Sequence, residues 1–307
     1  MTNPKIAILI PVHNGLNFTR KCLLSLNEIL QQMGEDSGRF LIIVIDDGST
    51  DNTKDWIIDH YPATRILEGD GHLWWSGGIN MGIEHAINKL DCDYTLWWNN
   101  DIHCAPDYFT NLLRIVQEIS DDTIVGSKIY FADEQQIIWS MGGLFNPYSG
   151  DKYTIGMNET DSEVFEQMKE ADWLPGMGTL VHKSVFDKIG LVNAKDFPQY
   201  HGDSDFTYRA KLAGYQIRVY PQLRIWNDKS NSGIQHYNSF RMLIRSLNDI
   251  RSNYHLGKDY LFYRRYATSM VAYKTLFFKY SFYIGGFIKW RILGLLGIRK
   301  NNANNSN

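Results

Sequence analysis

Four short stretches of this chain set carboxylates, amides and glycines directly after apolar runs. In residues 45–53 (IDDGSTDNT) the adjacent carboxylates Asp46 and Asp47 are followed by Gly-Ser-Thr. They can accept hydrogen bonds from a ligand's N–H or hydroxyl groups, or serve as caps and turn residues. Residues 97–103 (WWNNDIH) place Asn99, Asn100 and Asp101 behind a pair of tryptophans. One carboxylate, joined by diphosphate oxygens and waters, makes a hard-oxygen site for Mg2+ or Mn2+. An Asn-Asp turn fits the same letters. Residues 200–215 (YHGDSDFTYRAKLAGY) read as a helix opened by Asp203 and Asp205, where negative charge is favoured. Asp203 directed into a site would act as general base. Arg209, four residues after Asp205, can pair with it on one helical face and hold the helix start. Residues 69–86 (GDGHLWWSGGINMGIEHA) offer glycines that admit close backbone approach, and Asn80 as a partner for phosphate or sugar. Trp74 and Trp75 are core residues or a stacking platform for the apolar face of a sugar ring. The Gly69-Asp70-Gly71 turn does not lead into a helix as a dinucleotide fingerprint would.

These groups need a frame that gathers them. Residues 5–12 (KIAILIPV) form an apolar run without polar alternation, the pattern of a strand buried on both faces. Apolar residues at helical spacing follow over 16–33, then a second buried strand over 40–45 (FLIIVI). A helix is expected over 51–60, with Ser49 or Asp51 as its cap. A short strand over 64–68, a helix over 77–90 and a strand over 94–98 continue the alternation. Further on, a helix over 106–120 and a strand over 123–130 precede a looser stretch over 142–172, read as loops or a small hairpin covering the site. Residues 173–181 look extended, 184–189 helical, 203–213 helical with Gly214 at the end, and 216–225 supply the last one or two strands. Strand–helix alternation of this kind predicts an α/β, Rossmann-like and mostly parallel central sheet flanked by helices. Ligands bind beyond the carboxyl ends of such strands, and each polar stretch above falls at one.

The 307 residues suit one large domain or two small ones, with 44% hydrophobic and 21% charged residues in the ordinary globular range. Three cysteines (Cys22, Cys92, Cys104) without a C-x-x-C pair argue against a disulfide framework and a structural zinc site. The first apolar run is too short for a secretory signal, so a cytoplasmic protein is expected. The net charge of -3 hides an asymmetry: through Phe206 there are 14 Lys and Arg against 31 Asp and Glu, and from Thr207 onward 17 against 3. An acidic body with a basic, aromatic tail suggests a surface that meets anions.

The order of the stretches is more specific than any one of them. IPVHNG at the first strand, IDDGSTDNT, a Gly/Asn-rich loop, NND, WLPGMGTLV and GDSDFTYRA…AGY together resemble the family 2 glycosyltransferases of the GT-A fold, over about residues 5–228. The likeness is strongest to a rhamnosyltransferase-like branch. It implies an inverting, metal-dependent transfer from a nucleoside-diphosphate sugar, with a dTDP- or UDP-linked donor favoured. The acceptor would be a saccharide or lipid-linked saccharide in cell-surface polysaccharide synthesis. By this resemblance Pro11 and Asn14 border the nucleotide pocket, and Asp47 accepts the pyrimidine N3–H with Asp46 beside it. Asp101 binds Mg2+ or Mn2+ with Asn100 alongside, while Trp173, Gly176 and Gly178 line the acceptor side. Asp203 is the base. The chain departs from the pattern at Gly202, where Glu is common, at Asn227, where His is common, and at His13, where Tyr is common.

Two other activities read less well. A nucleotidyltransferase should carry a basic phosphate loop after its first strand, and PVHNGLN has no Lys or Arg. An inactive nucleotide-sugar-binding protein would not need both Asp101 and Asp203. Nucleic-acid binding would explain the basic tail but leave the acidic body unexplained, so no nucleic-acid partner is expected. The expected organisation is a catalytic domain over 1–235, a helical extension over 236–300 and a disordered tail over 301–307. Residues 258–300 hold nine Lys and Arg against Asp259 alone, interleaved with aromatics, with no uncharged stretch long enough for a spanning helix. That composition predicts helices lying on the inner face of a membrane, or a packing cap on the catalytic domain.

Overall fold

The computed structural model describes residues 3–228 and 239–295. The expected boundary at 235/236 and the tail over 301–307 lie outside the described residues. Two compact units divide the chain: Met1–Phe145 with Lys152–Ser232, and Asn146–Asp151 with Gly233–Asn307. The second unit thus takes in a six-residue loop that no sequence signal attached to the C-terminal helices.

In the first unit the elements run β1 (Ile6–Val12), α1 (Leu16–Gln32), β2 (Phe40–Asp46), α2 (Thr53–His60), β3 (Arg65–Glu68), α3 (Trp74–Leu90), β4 (Tyr94–Trp97), β5 (Ile102–Cys104) and α4 (Tyr108–Glu118). They continue through β6 (Thr123–Phe131), β7 (Ile138–Ser140), β8 (Gly143–Phe145), β9 (Lys152–Thr154), β10 (Lys169–Glu170), β11 (Thr179–His182), α5 (Lys183–Ile189), α6 (Gly202–Leu212) and β12 (Gln216–Asn227). The main sheet has the order β10-β12-β6-β11-β4-β1-β2-β3. Ile6 through Ile10 are fully buried, as an apolar run covered on both faces requires. Each such Ile or Leu contributes about 1.5–3 kcal/mol of burial. Helix α1 packs through Cys22, Leu23, Leu26, Ile29 and Leu30, a stripe at helical spacing. On the other face α3 lies close to the sheet because Gly82 has no side chain. A Cβ there would stand 3.0 Å from Ile45 Cδ1 and 3.1 Å from Leu9 Cδ2.

The sheet is more mixed than the sequence reading has it. Strands β4, β1, β2 and β3 are parallel, as are β6 and β12, but β11 runs antiparallel between β4 and β6. The segment expected to be extended over 173–181 is strand only from Thr179, and its first half is a tight loop. Helix α3 begins at Trp74 and not at 77, and α2 begins at Thr53. Neither Ser49 nor Asp51 is the α2 N-cap, which is Asn52 at φ +63°: Ser49 Oγ accepts from Asn14 N–H (2.9 Å), and Asp51 Oδ1 accepts from the amide of Thr53, the first helical residue, at 3.3 Å. The loose stretch over 142–172 does contain a hairpin, β8 paired with β9.

The second unit holds α7 (Phe240–Asn248), α8 (Leu256–Tyr266) and α9 (Met270–Leu295). Buried Asp259 on α8 accepts from Lys279 Nζ (2.5 Å) and Tyr280 Oη (2.6 Å) on α9. Tyr283 Oη donates to Ser246 Oγ of α7 at 2.8 Å, and Tyr263 Oη donates to the Gly150 carbonyl at 2.5 Å. Among the described residues no helix is long and apolar enough to cross a membrane.

Candidate active site

Because β1, β2, β3 and β4 are parallel, their carboxyl ends share one rim of the sheet. Antiparallel β11 starts at that rim, and β12, parallel to β6, ends at it. The chain turns there through backbone conformations that non-glycine residues rarely adopt. Asn14 has φ +50°, Trp74 +56° and His201 +67°. Strain of that kind persists only where surrounding bonds over-determine it.

Those bonds are visible. Asn14 follows β1 and accepts through Oδ1 from the Thr50 amide (2.7 Å) and hydroxyl (3.1 Å), binding the β1 turn to the loop after β2. His13 Nδ1 donates to the Asp47 carbonyl at 2.7 Å. Asp46 and Asp47 are both buried. Asp46 Oδ1 accepts from Ser49 N–H at 2.8 Å. Asp47 uses both oxygens on backbone amides: Oδ1 accepts from Gly71 (2.8 Å) and Oδ2 from Trp74 (3.0 Å). This fixes the turn before α3 and holds the strained first residue of that helix. Gly69 is glycine for the same reason, since a Cβ there would lie 2.5 Å from Asp47 Oδ1. Replacing Asp47 by Ala strands two amides, and a loss of about 2–3 kcal/mol is expected. Thermal unfolding checks this: a melting temperature equal to the parent's would leave Asp47 without this structural task.

Pro11 is half-buried against α3, where a Cβ on Gly78 would stand 3.2 Å from Pro11 Cβ. Asn80, expected to contact the donor, has a structural task in the fold. Its Nδ2 donates to the Val192 carbonyl (2.8 Å) and its Oδ1 accepts from the Val192 amide (3.0 Å), so both ends of the amide clamp a neighbouring loop. Asn100 Nδ2 donates to Thr19 Oγ1 at 3.0 Å and fastens the end of β4 to α1.

Asp101 differs from these fixed groups. Its Oδ1 is buried and has no hydrogen-bond partner. Burial pushes the carboxyl up to about 6 against one opposing backbone hydrogen bond, and the charge of Asp228 adds to the rise. Asp228 arrives because β5 pairs antiparallel with the end of β12, and its amide donates to the Asp101 carbonyl at 3.0 Å. The sequence reading stopped one residue short, at Asn227. Strand pairing between distant segments is what makes Asp228 a neighbour. No cluster of three or more His, Cys, Asp or Glu is present among the described residues. Two carboxylates with a bare buried oxygen nevertheless fit a divalent ion that takes its other ligands from phosphate oxygens and water.

At the same rim, beside the end of β4, stand the loop before β11 and the helix α6 bonded to it. Asp203 Oδ2 accepts from the Gly176 amide (2.8 Å) and Oδ1 from the Ser204 amide (2.7 Å). Thr207 Oγ1 accepts from Leu174 N–H at 2.9 Å, so loop and helix are fastened at two points. Asp205 is fully buried and pairs with Arg209 Nε at 3.0 Å. Arg209 also donates to the carbonyls of Ile189 (2.6 Å) and Leu191 (2.8 Å). Gly176 makes room for the Trp75 ring, whose Nε1 donates to Asn99 Oδ1 at 3.1 Å. Gly178 adopts φ +66° and leaves no space for a side chain beside Ser127. Trp173 lies under Lys152, whose Nζ is 4.7 Å from the ring centroid and 3.0 Å from Ser204 Oγ. Lys152 was not singled out in the sequence, where a lysine in a hairpin carries no mark.

Residues 7–190 match the model of a family described as "Glycosyl transferase family 2". The matched span ends before Asp203 and Asp228. A low-salt glycan biosynthesis hexosyltransferase of Haloferax volcanii is 25% identical over 59% of this chain and 56% of its own length. An N-acetylglucosaminyl-diphospho-decaprenol L-rhamnosyltransferase of Mycobacterium tuberculosis is 22% identical, covering 62% of this chain and 67% of its own. A Streptococcus pneumoniae glycosyltransferase matches over only 33% of its length, so this chain spans between a third and two thirds of these relatives. The fold is similar to that of a mannosyltransferase from Pyrobaculum calidifontis, solved in complex with GDP-Man and Mn2+. The two have a TM-score of 0.56 and 13% identity, over 92% of this chain and 70% of the other. A second solved structure, GalNAc-T7 with UDP, GalNAc and Mn2+, has a TM-score of 0.57 and 13% identity over 82% and 50%.

Proposed function

The chain belongs to glycosyl transferase family 2, and on that premise we propose that it moves a sugar from a nucleoside-diphosphate donor to a hydroxyl of a saccharide or lipid-linked saccharide, with inversion at the anomeric carbon. The observation that carries this is Asp101. A buried carboxylate oxygen without a partner, beside a second carboxylate at the rim where parallel strands end, is what a diphosphate-bound cation requires.

Asp101 and Asp228 would hold Mg2+ or Mn2+. When bound, that ion offsets the negative charge developing on the departing diphosphate. Solved relatives of this fold carry Mn2+ with their nucleotides, in line with this use. The chain's own groups do the rest. Pro11, Asn14 and the Asp46–Asp47 pair form the wall for the base, with a carboxylate as acceptor for a pyrimidine N3–H, which favours dTDP- or UDP-sugars. Asp203 takes the proton from the acceptor hydroxyl as that oxygen attacks the anomeric carbon. The bond to the diphosphate breaks on the opposite face. Hydrogen bonds donated by the Gly176 and Ser204 amides fix the Asp203 carboxylate, so the base is positioned before the acceptor arrives. Trp173, Gly176 and Gly178 shape the acceptor side. A lipid-linked acceptor accords with the activity named for the mycobacterial relative.

The test is a panel of nucleotide sugars offered to the purified chain with Mn2+, reading nucleoside-diphosphate release and thermal shift. Turnover or stabilisation by at least one pyrimidine-linked donor is expected. Indifference to every donor in the panel would end this reading.

A further inference from the structure

Helix α9 carries apolar residues around its whole circumference, yet only one side of it is covered. Ala272, Leu276 and Tyr280 are buried. At 100° per residue the opposite side carries Lys274, Phe278, Phe282, Lys289 and Ile292. There Phe278 is 54% exposed, Phe282 77% and Ile292 50%, and Phe277 at the edge of this side is 68% exposed. A groove of about 600 Å³ between α8 and α9, lined by Leu256, Tyr260, Tyr273, Phe277, Ile284 and Ile288, extends the apolar surface. An open aromatic face of this kind marks a site of association.

Charge selects the partner. Every charged residue of α9 is basic (Lys274, Lys279, Lys289 and Arg291), and all four are exposed. In a symmetric dimer the same patch meets itself, which would bring Lys274 and Lys289 against like charges. An anionic bilayer satisfies both features at once, because aromatics enter the boundary between headgroups and acyl chains while lysines meet lipid phosphates. The helix is not apolar enough to span.

We propose that α9 docks the protein on an anionic membrane surface, lying in the interface with Phe277, Phe278 and Phe282 inserted and Lys274 and Lys289 at the headgroups. This docking stands apart from the transfer chemistry, so either can fail without the other.

Flotation of the full chain with phosphatidylcholine vesicles, with and without phosphatidylglycerol, tests it. The chain should float with the anionic vesicles and be released by salt. The double variants F278E/F282E and K274E/K289E should each bind about tenfold more weakly or worse. Both variants should keep the parent's unfolding temperature, since these side chains are exposed. Failure of the parent to float, or equal flotation of parent and variants, would overturn the proposal. So would a parent dimer in sedimentation that F278E/F282E dissolves without any binding to vesicles, which would make a second copy the occupant.

Discussion

Asp101→Asn is expected to abolish the Mn2+-dependent part of donor binding, weakening it by about 10²-fold or more, while leaving the metal-free protein as stable or more stable. The second half of that result separates a metal ligand from a structural residue. Asp101 is held up at about 6 chiefly by burial, and its Oδ1 has no partner, so the ionised form costs the metal-free fold free energy. The sign follows from proton binding. The folded pKa lies above the ordinary carboxylate value near 4, so between about pH 4 and 6 the folded state binds more protons than the unfolded one. Asp101's own contribution to the stability of the metal-free parent therefore rises as pH falls through that window, by on the order of 2–3 kcal/mol, and is read as the difference between parent and Asn variant. The Asn variant should lack this slope. Calorimetric titration of donor with and without Mn2+, beside unfolding from pH 4 to 8, checks both halves. A variant that keeps metal-dependent binding, or is destabilised at every pH, would make Asp101 a turn residue.

Asp203→Asn is expected to fail in the other manner. Donor affinity should stay within a few-fold of the parent's, while turnover falls by about 10²–10⁴-fold, the range for a lost general base. The amide of Asn keeps one oxygen to accept from Gly176 or Ser204, so the loop before β11 should remain fastened. Steady-state rates with donor saturating, and donor titration of the same preparation, distinguish loss of chemistry from loss of binding. Equal losses in both would mean that Asp203 only holds the loop.

What the sequence could and could not say divides along physical lines. The strand β1 is legible because five consecutive residues from Ile6 to Ile10 are buried on both faces, and only an apolar run satisfies that. Asp47, Asp101 and Asp203 are legible as positions because each follows an apolar run or opens a helix at a strand end. Their tasks are less so. Asp47 reads as a ligand contact, and in the fold its two oxygens also accept from two backbone amides, a task that no local pattern shows. Asn80 sits in a glycine-rich stretch that suits a phosphate site, but Val192 takes both ends of its amide. Local sequence cannot tell whether an amide faces a ligand or a loop more than a hundred residues away. Direction is equally hidden: the apolar residues of β11 look the same whichever way the strand runs, so the antiparallel step escapes any pattern of hydrophobicity. Asp228 depends on the pairing of β5 with β12, and Trp74 begins α3 only because Asp47 holds its amide in place.

The most direct measurement is the anomalous signal of Mn2+ in crystals grown with Mn2+ and the nucleoside diphosphate of the best donor. The Mn2+ peak is expected beside Asp101 Oδ1 and Asp228, with the diphosphate next to it and the base against Asp46 and Asp47. An ion and nucleotide bound elsewhere, with Asp101 Oδ1 still buried and bare, would contradict it.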